Sequence, residues 1–545
     1  FNYSDSGSNH LDLSTSFWFA KNARDMDFAT LRYQKLESNP QNASMLDVLF
    51  YDPSLLKEST ALANDIMFKG IGTAIFRTSW TDASMVFAGI HGGKNNSNHG
   101  NLDAGTFLLE ANGVRWFEEL GSDSYSLPGY FGETGLISYY RKRAEGQNTV
   151  LINPDDSADQ NTEAITDIIK YESKPKGGFA VLDMTDALGV SKVESARRGL
   201  MLTANRRSTV LQDEITLKKN GEFYWFAHTK ANDIEIAADG RSAVLTKNGK
   251  RLYAKIVCDN PNAKFSVMNA ERLETSPAKH SLEASNDGIR KLAIHLTDVK
   301  EVNLAVVFTV LNNNENEPGY NYTFEKTDNW KIEDGVLETP RAKSITVGGK
   351  EIENFNPYNT EYEIVLPLGT ETVPEVEAAA NGDYEVEIEK QQALGETTTV
   401  KIYKASDKSV SLSYMIKIRE QNEVEIEASH YQEGNFPENV YDNDLSTRWS
   451  ANGEAWIKFT FTEPKEIEAV CIAYMSAAAR SSTLDIEYSV DGENFEKYFS
   501  GKTTKSEDEF EEFKLPAKTK VRAVRIKGYG NEHNAWNSIL EVKFK

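Results

Sequence analysis

Cysteine is nearly missing from this chain: two in 545 residues, Cys258 and Cys471. They stand far apart, each in an apolar, strand-like stretch. No disulfide framework is available, and buried free thiols are expected. Long hydrophobic runs are missing as well. Nothing approaches the roughly 20 apolar residues that a membrane-spanning helix needs. Positive charge is short, with 60 Lys and Arg against 83 Asp and Glu and a formal charge of −23. Such a balance disfavours general nucleic-acid binding, because the bulk charge repels phosphate. A polyanionic substrate stays open only through a local basic cleft. The start lacks a methionine and a basic leader region. It reads Phe1-Asn2-Tyr3-Ser4-Asp5-Ser6-Gly7, as the interior of a longer or processed polypeptide would.

What the chain does have is length, enough for three or four domains. Residues 1–70 read as helical. Leu11 to Phe19 and Asp25 to Leu36 carry near-helical apolar spacing, and Asn42-Ala43-Ser44 offers an N-cap before Met45-Leu46. Asp52-Pro53 ends that segment. These few helices cannot close a core alone.

From Gly72 the apolar period becomes two, and alternating runs continue to about Val310. Asn112-Gly113, Asp239-Gly240, Asn220-Gly221 and Asn248-Gly249 separate them, and the last two predict tight hairpins. Residues 71–312 therefore predict a large two-sheet antiparallel sandwich. The polar stretch 312–319 reads as a linker. Residues 320–421 read as a transition followed by an acidic, immunoglobulin-like β spacer without His, Cys or Trp in its strands. Residues 423–545 are again β-rich and hold Trp449, Trp456 and Trp536. The fold class expected is mainly β, with a helical start.

One loop draws attention. Between the apolar runs 85–90 and 106–110 lies Gly92-Gly93-Lys94-Asn95-Asn96-Ser97-Asn98-His99-Gly100-Asn101-Leu102-Asp103-Ala104-Gly105. A polar loop held between strands is a common place for chemistry, and His99 can exchange a proton near neutral pH. The plainer reading, a simple loop histidine, stays open beside it. Arg141-Lys142-Arg143, Arg197-Arg198 and Arg206-Arg207 are basic runs. They suit either solvated faces or an anion-binding cleft. Strand alternation would put Arg141 and Arg143 on one face and Lys142 on the other. Trp225 and His228 could line such a cleft, although burial of Trp225 in the sandwich is the stronger expectation.

Several stretches in order resemble heparinase II/III-type polysaccharide lyases. They are His99-Gly100-Asn101-Leu102-Asp103-Ala104-Gly105-Thr106-Phe107, then Gly113-Val114-Arg115-Trp116-Phe117-Glu118-Glu119-Leu120-Gly121, then Tyr139-Tyr140-Arg141-Lys142-Arg143-Ala144-Glu145-Gly146-Gln147-Asn148-Thr149. The opening Phe1 to Gly7 resembles the segment near the end of that family's helical (α/α) toroid. The resemblance covers about the first 310 residues. It implies β-elimination on a uronate-containing, glycosaminoglycan-type polysaccharide, with His99 in proton transfer. It suggests Asn98, Asn101, Arg141 and Arg143 as substrate-binding residues. Three positions that hold zinc in part of the family read Asn101, Glu119 and Gln147 here. Amide oxygens are poor zinc ligands beside imidazole and thiolate, so a metal-free version is expected. The family's catalytic Tyr and its Asn or His lie upstream of the part matched. Tyr3 could substitute, but packing is the stronger expectation for it.

The last module resembles a discoidin, or coagulation-factor type C, domain, also used as a carbohydrate-binding module. The residues that carry this are Asp442-Asn443-Asp444-Leu445-Ser446-Thr447-Arg448-Trp449, Trp456-Ile457-Lys458-Phe459, and Trp536-Asn537-Ser538-Ile539-Leu540-Glu541. The resemblance implies calcium on Asp442, Asp444, Thr447 and Glu541, an oxygen set that suits a hard cation. Capping of a tight turn is the competing role for Asp442 and Thr447. Tyr474 and Arg480 are candidate sugar contacts, and Trp449 is expected in the core. Taken together, the residues suggest a secreted, periplasmic or cell-surface bacterial lyase acting on an acidic polysaccharide, with no nucleic acid and no membrane span. A non-catalytic glycan-binding protein, or an inactive fragment, is the alternative.

Overall fold

Three short helices come first: Ser16–Ala23, Met26–Ser38 and Met45–Phe50. The third begins where the sequence signals it, with Ser44 and Asp47 forming a reciprocal capping box. The computed structural model describes residues 2–6, 15–38, 40–57, 62–80, 85–311, 315–367, 369–370, 372–505 and 509–545. Residues 11–14 of the expected first helix and 312–314 of the expected linker lie outside the described residues. The chain divides into two compact units. One is Phe1–Glu361 with Glu375–Glu389 and Thr399–Met415; the other is Tyr362–Pro374 with Lys390–Thr398 and Ile416–Lys545. The fold is mainly β, as the alternating pattern predicts.

The first unit is built on two antiparallel sheets. A five-stranded sheet runs Ile66–Phe68, Thr73–Arg77, Val86–His91, Phe107–Ala111, Val114–Phe117 in spatial order. A ten-stranded sheet is centred on two 22-residue strands, Ser208–Thr229 and Arg290–Leu311. Phe76, Ile90, Phe107 and Trp116 of the smaller sheet share one buried cluster with Leu211, Trp225, Ile294 and Phe308 of the larger. Removing each such side chain from water contributes roughly 1.5–3 kcal/mol. Strand alternation also shows on the far face. Ala180 and Leu182 join the central core, while Phe179 and Val181 pack under Trp330 and Ile332.

Two turn expectations separate here. Asn248-Gly249 closes a hairpin, with Lys247 paired to Lys250. Asn220-Gly221 does not. It lies inside the strand Ser208–Thr229, at a register shift where the ladder passes from Thr216↔Glu301 to Gly221↔Val299. Both flanks pair with the same partner strand, so the chain cannot reverse there, and the dipeptide serves a bulge instead. Asn220 Nδ2 donates to Asp298 Oδ1 across that bulge at 3.0 Å.

In the acidic stretch, Gly348 and Gly349 take positive φ and join Ala342–Val347 to Lys350–Glu351, the hairpin expected there. The second unit holds a seven-stranded sheet. Its long strand Ala455–Tyr474 shifts register twice against Glu511–Asn531. The bends fold it around a core of Trp449, Ile457, Phe459, Ile472, Val524 and Ile526. Both cysteines are free; Cys471 is buried and Cys258 half-buried.

Candidate functional site

The polar loop leaves strand Val86–His91 and returns in Phe107–Ala111. Its base is closed by His91 N to Thr106 O and Gly105 N to His91 O. Gly105 has φ +84°, and a Cβ there would stand 2.8 Å from Met184 Cε and Thr149 Oγ1, so only glycine fits. The tip carries His99 at φ 59°, in the left-handed region.

Residues 2–5 lie against this loop through their side chains. Arg115 donates to Asn2 Oδ1 at 2.8 Å. Tyr3 stacks on His91 with ring centres 3.9 Å apart. Ser4 Oγ donates to Asp103 Oδ2 at 2.6 Å. Asp5 is enclosed: Oδ1 accepts from Tyr130 OH at 2.7 Å, and Oδ2 lies 3.1 Å from His99 Nδ1. A carboxylate only accepts, so Nδ1 carries the proton and Nε2 is left as an acceptor. The His99 side chain is 46 % exposed. Tyr125 OH lies 3.3 Å from Nδ1, and Phe131 meets the ring edge-on at 5.3 Å. Tyr125 and Phe131 are themselves exposed, so the histidine sits among open aromatic faces. Burial and the adjacent Asp5 push the Tyr125 hydroxyl above its ordinary range.

Beneath lies a buried polar layer. His91 Nδ1 meets Thr73 Oγ1 at 2.8 Å, and its Nε2 is 3.8 Å from Asp103. Burial depresses His91, with Asp103 opposing. Burial raises the Asp103 carboxyl, opposed by His91 and Ser4. Glu119 is pushed well above the carboxylate range by burial and by Asp103, against Gly121 N–H and Gln147. Gln147 Nε2 also donates to Arg141 O at 2.7 Å, while its Oε1 and both amide atoms of buried Asn101 find no partner. Two amides and a carboxyl held toward its neutral form are a poor zinc set. Among the described residues, no group of three or more His, Cys, Asp and Glu side chains is disposed to hold a metal.

The arginines depart from expectation. Tyr140 to Arg143 is a turn, closed by Lys142 N and Arg143 N on Tyr139 O, so strand alternation does not apply. Arg143 is fully buried, bonded to Asp159 and to the carbonyls of Ile137, Asp155 and Ser157. Arg141 spends its donors on Asn286 Oδ1 and the carbonyls of Leu120, Ser122 and Ser285. Both brace loops and neither presents a free fork to substrate. Lys142 instead turns inward, 4.4 Å from the Tyr130 ring centre and 4.0 Å from Asp5. Burial lowers its ammonium, with Asp5 and Asp103 opposing. Asn98 is exposed at the tip, whereas Asn101 is enclosed. Trp225 is core. His228 is also buried, bonded to Tyr140 OH at 2.9 Å and to Asn148 Oδ1.

In the second unit, the loop 442–447 folds on itself. Thr447 Oγ1 donates to Asp442 Oδ2 at 2.7 Å, and Asp444 accepts from Ser446 N. Buried Glu541 accepts from Asn443 N at 3.1 Å. Burial, with Asp442 adding to it, pushes the Glu541 carboxyl up to about 7, against Asn443 N–H. Tyr474, expected at the surface, is buried with its hydroxyl unpartnered. Arg480 Nε donates to Met475 O at 3.2 Å. Trp449 is core, as expected.

A heparinase II/III-like C-terminal family model matches residues 60–310, and an F5/8 type C domain model matches residues 425–542. The chain carries these two domains. The solved structures it resembles include the heparan sulfate lyase HepC from Pedobacter heparinus, at 10% identity over 77% of this chain and 50% of that one, TM-score 0.42. A heparinase III matches at 12% identity, over 76% and 48%, TM-score 0.42. The CBM32 domain of AlyQ, solved with 4,5-unsaturated mannuronic acid, matches at 36% identity over 22% and 93%, TM-score 0.21. The chain spans about half the length of the heparinase structures it matches. No curated protein matches it.

Within the heparinase-like domain and the residues before it, sequence reasoning missed Asp5, Tyr125 and Phe131; it placed Lys142 in a basic run but not turned inward beside Asp5. Asp5 stands 94 positions from His99. Tyr125 and Phe131 did carry a signal: with Tyr130 they make three aromatics in the loop Gly121 to Gly132.

Proposed function

We propose that this chain acts on an acidic, uronate-containing polysaccharide by β-elimination. The observation that carries the reading is the half-exposed His99 on the loop of a heparinase II/III-like domain, with Asp5 on Nδ1 and Nε2 open. The reaction removes the proton alpha to the uronate carboxylate, forms a carbon–carbon double bond and breaks the bond to the leaving glycosidic oxygen. His99 Nε2 takes the proton and, as the imidazolium, returns one to the leaving glycosidic oxygen. Asp5 holds the ring and stabilises the imidazolium that forms. Tyr125 and Phe131 offer faces for sugar stacking, and Asn98 a polar contact at the tip. No metal enters these steps. The F5/8 type C domain would hold the polymer near the lyase domain, and calcium would be held by Asp442, Thr447 and Glu541, with carbonyl oxygens completing the shell. Such domains suit a secreted or cell-surface protein. No helix among the described residues is long and apolar enough to cross a membrane.

A second reading, non-catalytic glycan binding, is favoured by one observation. Arg141 and Arg143, the expected neutralisers of the substrate carboxylate, are engaged elsewhere. One assay separates the two: incubation with heparan sulfate, chondroitin sulfate and alginate, following the absorbance of the unsaturated uronate. Cleavage that falls about 10²–10⁴-fold in His99→Ala supports the lyase. Asp5→Asn should lower the rate, because the ring loses the carboxylate that holds Nδ1 at 3.1 Å. Absence of product with every polymer sinks the lyase and leaves binding.

A further inference from the structure

A second site lies in the first unit, sharing no residue with the His99 loop. It is a cavity of about 500 Å³, within the size range of small-molecule sites. Its wall includes the tip of the hairpin joining Val193–Thr203 to Ser208–Thr229. Three successive residues there, Ala204, Asn205 and Arg206, have φ of 51°, 57° and 64°. Side-chain-bearing residues rarely adopt that conformation, and it persists only when its surroundings enforce it. Here they do. Arg206 donates to both oxygens of Asp65, at 2.6 and 2.7 Å, and to the carbonyls of Arg77, Lys174, Pro175 and Gly177. Asn205 Oδ1 accepts from Glu338 N at 2.8 Å.

The outcome of that anchoring is the placement of the next residue. Arg207 lines the cavity with Nη1 buried and without a partner. Burial holds its guanidinium below the ordinary range, and Arg341, on the same wall, adds to the effect against Glu315. A strained turn pinned by Arg206, carrying a guanidinium with one nitrogen buried and unsatisfied, is costly unless something fills the gap. Lys401 and Lys408 add two further cations, and Thr339, Ser411 and Ser413 supply hydroxyls.

We infer that this cavity binds a small acidic sugar, its carboxylate on Arg207 and its hydroxyls on the polar wall. A guanidinium fork matches a carboxylate in two parallel hydrogen bonds, and the hydroxyl-bearing wall suits a pyranose. Occupancy does not require cleavage at His99.

Isothermal titration of the full chain with glucuronate, glucose and sodium sulfate tests this. Glucuronate should bind at least tenfold more tightly than glucose or sulfate. Arg207→Gln should weaken glucuronate at least tenfold, and His99→Ala should leave its affinity unchanged. Lys401→Met, on the cavity wall, should weaken it severalfold, which guards against a folding defect in the Arg207 variant. Equal affinity for glucose removes the role of the charge. Equal affinity for sulfate removes the sugar. Binding that survives Arg207→Gln, or is lost in His99→Ala, places glucuronate elsewhere and overturns the inference.

Discussion

Arg198 and Asp213 face each other across neighbouring strands, in register, with almost no exposure. Two hydrogen bonds join them, at 2.9 and 3.1 Å. The remaining nitrogen, Nη1, donates to Gly105 O at 2.8 Å and Asn148 O at 3.0 Å. One side chain thus ties the central sheet to the end of the His99 loop and to the strand entry beside it. Replacing Arg198 with Met keeps most of the volume but strands a buried carboxylate. Breaking a buried pair by removing one partner costs about 3–5 kcal/mol. For a domain of this size each kcal/mol moves the melting temperature by roughly 2–4 °C, so a fall of about 6–20 °C is expected.

Differential scanning calorimetry of the full chain reads this directly. The F5/8 type C transition, in the other unit, should stay in place and serves as the internal control. Asp213→Leu should also destabilise. The double variant should fall short of the sum of the two singles by up to about 3 kcal/mol, because neither charge is then left alone. Gly105 O and Asn148 O still lose their donor in the double variant, so full recovery is not expected. A drop under 2 °C for Arg198→Met, or strict additivity of the two changes, would refute the claim that this pair braces the loop; both thresholds follow from roughly the magnitudes above.

Glu119 is held toward its protonated form, so its folded-state value lies above the unfolded one and its contribution to stability is lost as pH rises past about 4.5. Glu119→Gln should therefore gain on the parent protein as pH increases, by up to about 1.4 kcal/mol per pH unit, and urea midpoints that differ equally at pH 5 and pH 8 would contradict it. Glu541, with a value of about 7, should protonate below neutrality and release a cation. Calcium should raise the melting temperature of the F5/8 domain more at pH 8 than at pH 6, and not at all in Glu541→Gln; an equal gain in all three cases rules out that ligand. Gly105→Ala meets both a positive φ and a close approach to Met184 and Thr149. It should cost about 1–3 kcal/mol in denaturant unfolding, and a neutral result would mean that the loop base can shift freely.

Period and turn chemistry carried much of the fold into view. Alternation announced the sandwich strands, Ser44 announced the third helix, and Asn248-Gly249 announced its hairpin. Asn220-Gly221 carries the same local signal and gives a bulge, since its two flanks pair with one long strand. That fact is set by residues 290–311 and is invisible at positions 220 and 221. The site divides along the same line. His99 was legible because its neighbours form a local motif. Asp5 was not, because a carboxylate 94 residues away acquires meaning only when the chain returns to it. The arginines show the converse. In a chain of net charge −23, an Arg run beside a candidate site suggests an anion cleft, yet Arg141, Arg143, Arg198 and Arg206 are all spent on carbonyls and carboxylates within the fold. Arg207, in the same sequence pattern, differs in its place: it lines a cavity, with Nη1 buried and without a partner. Charge in the sequence says where a fork exists; only the acceptors around it say whether a ligand is still needed.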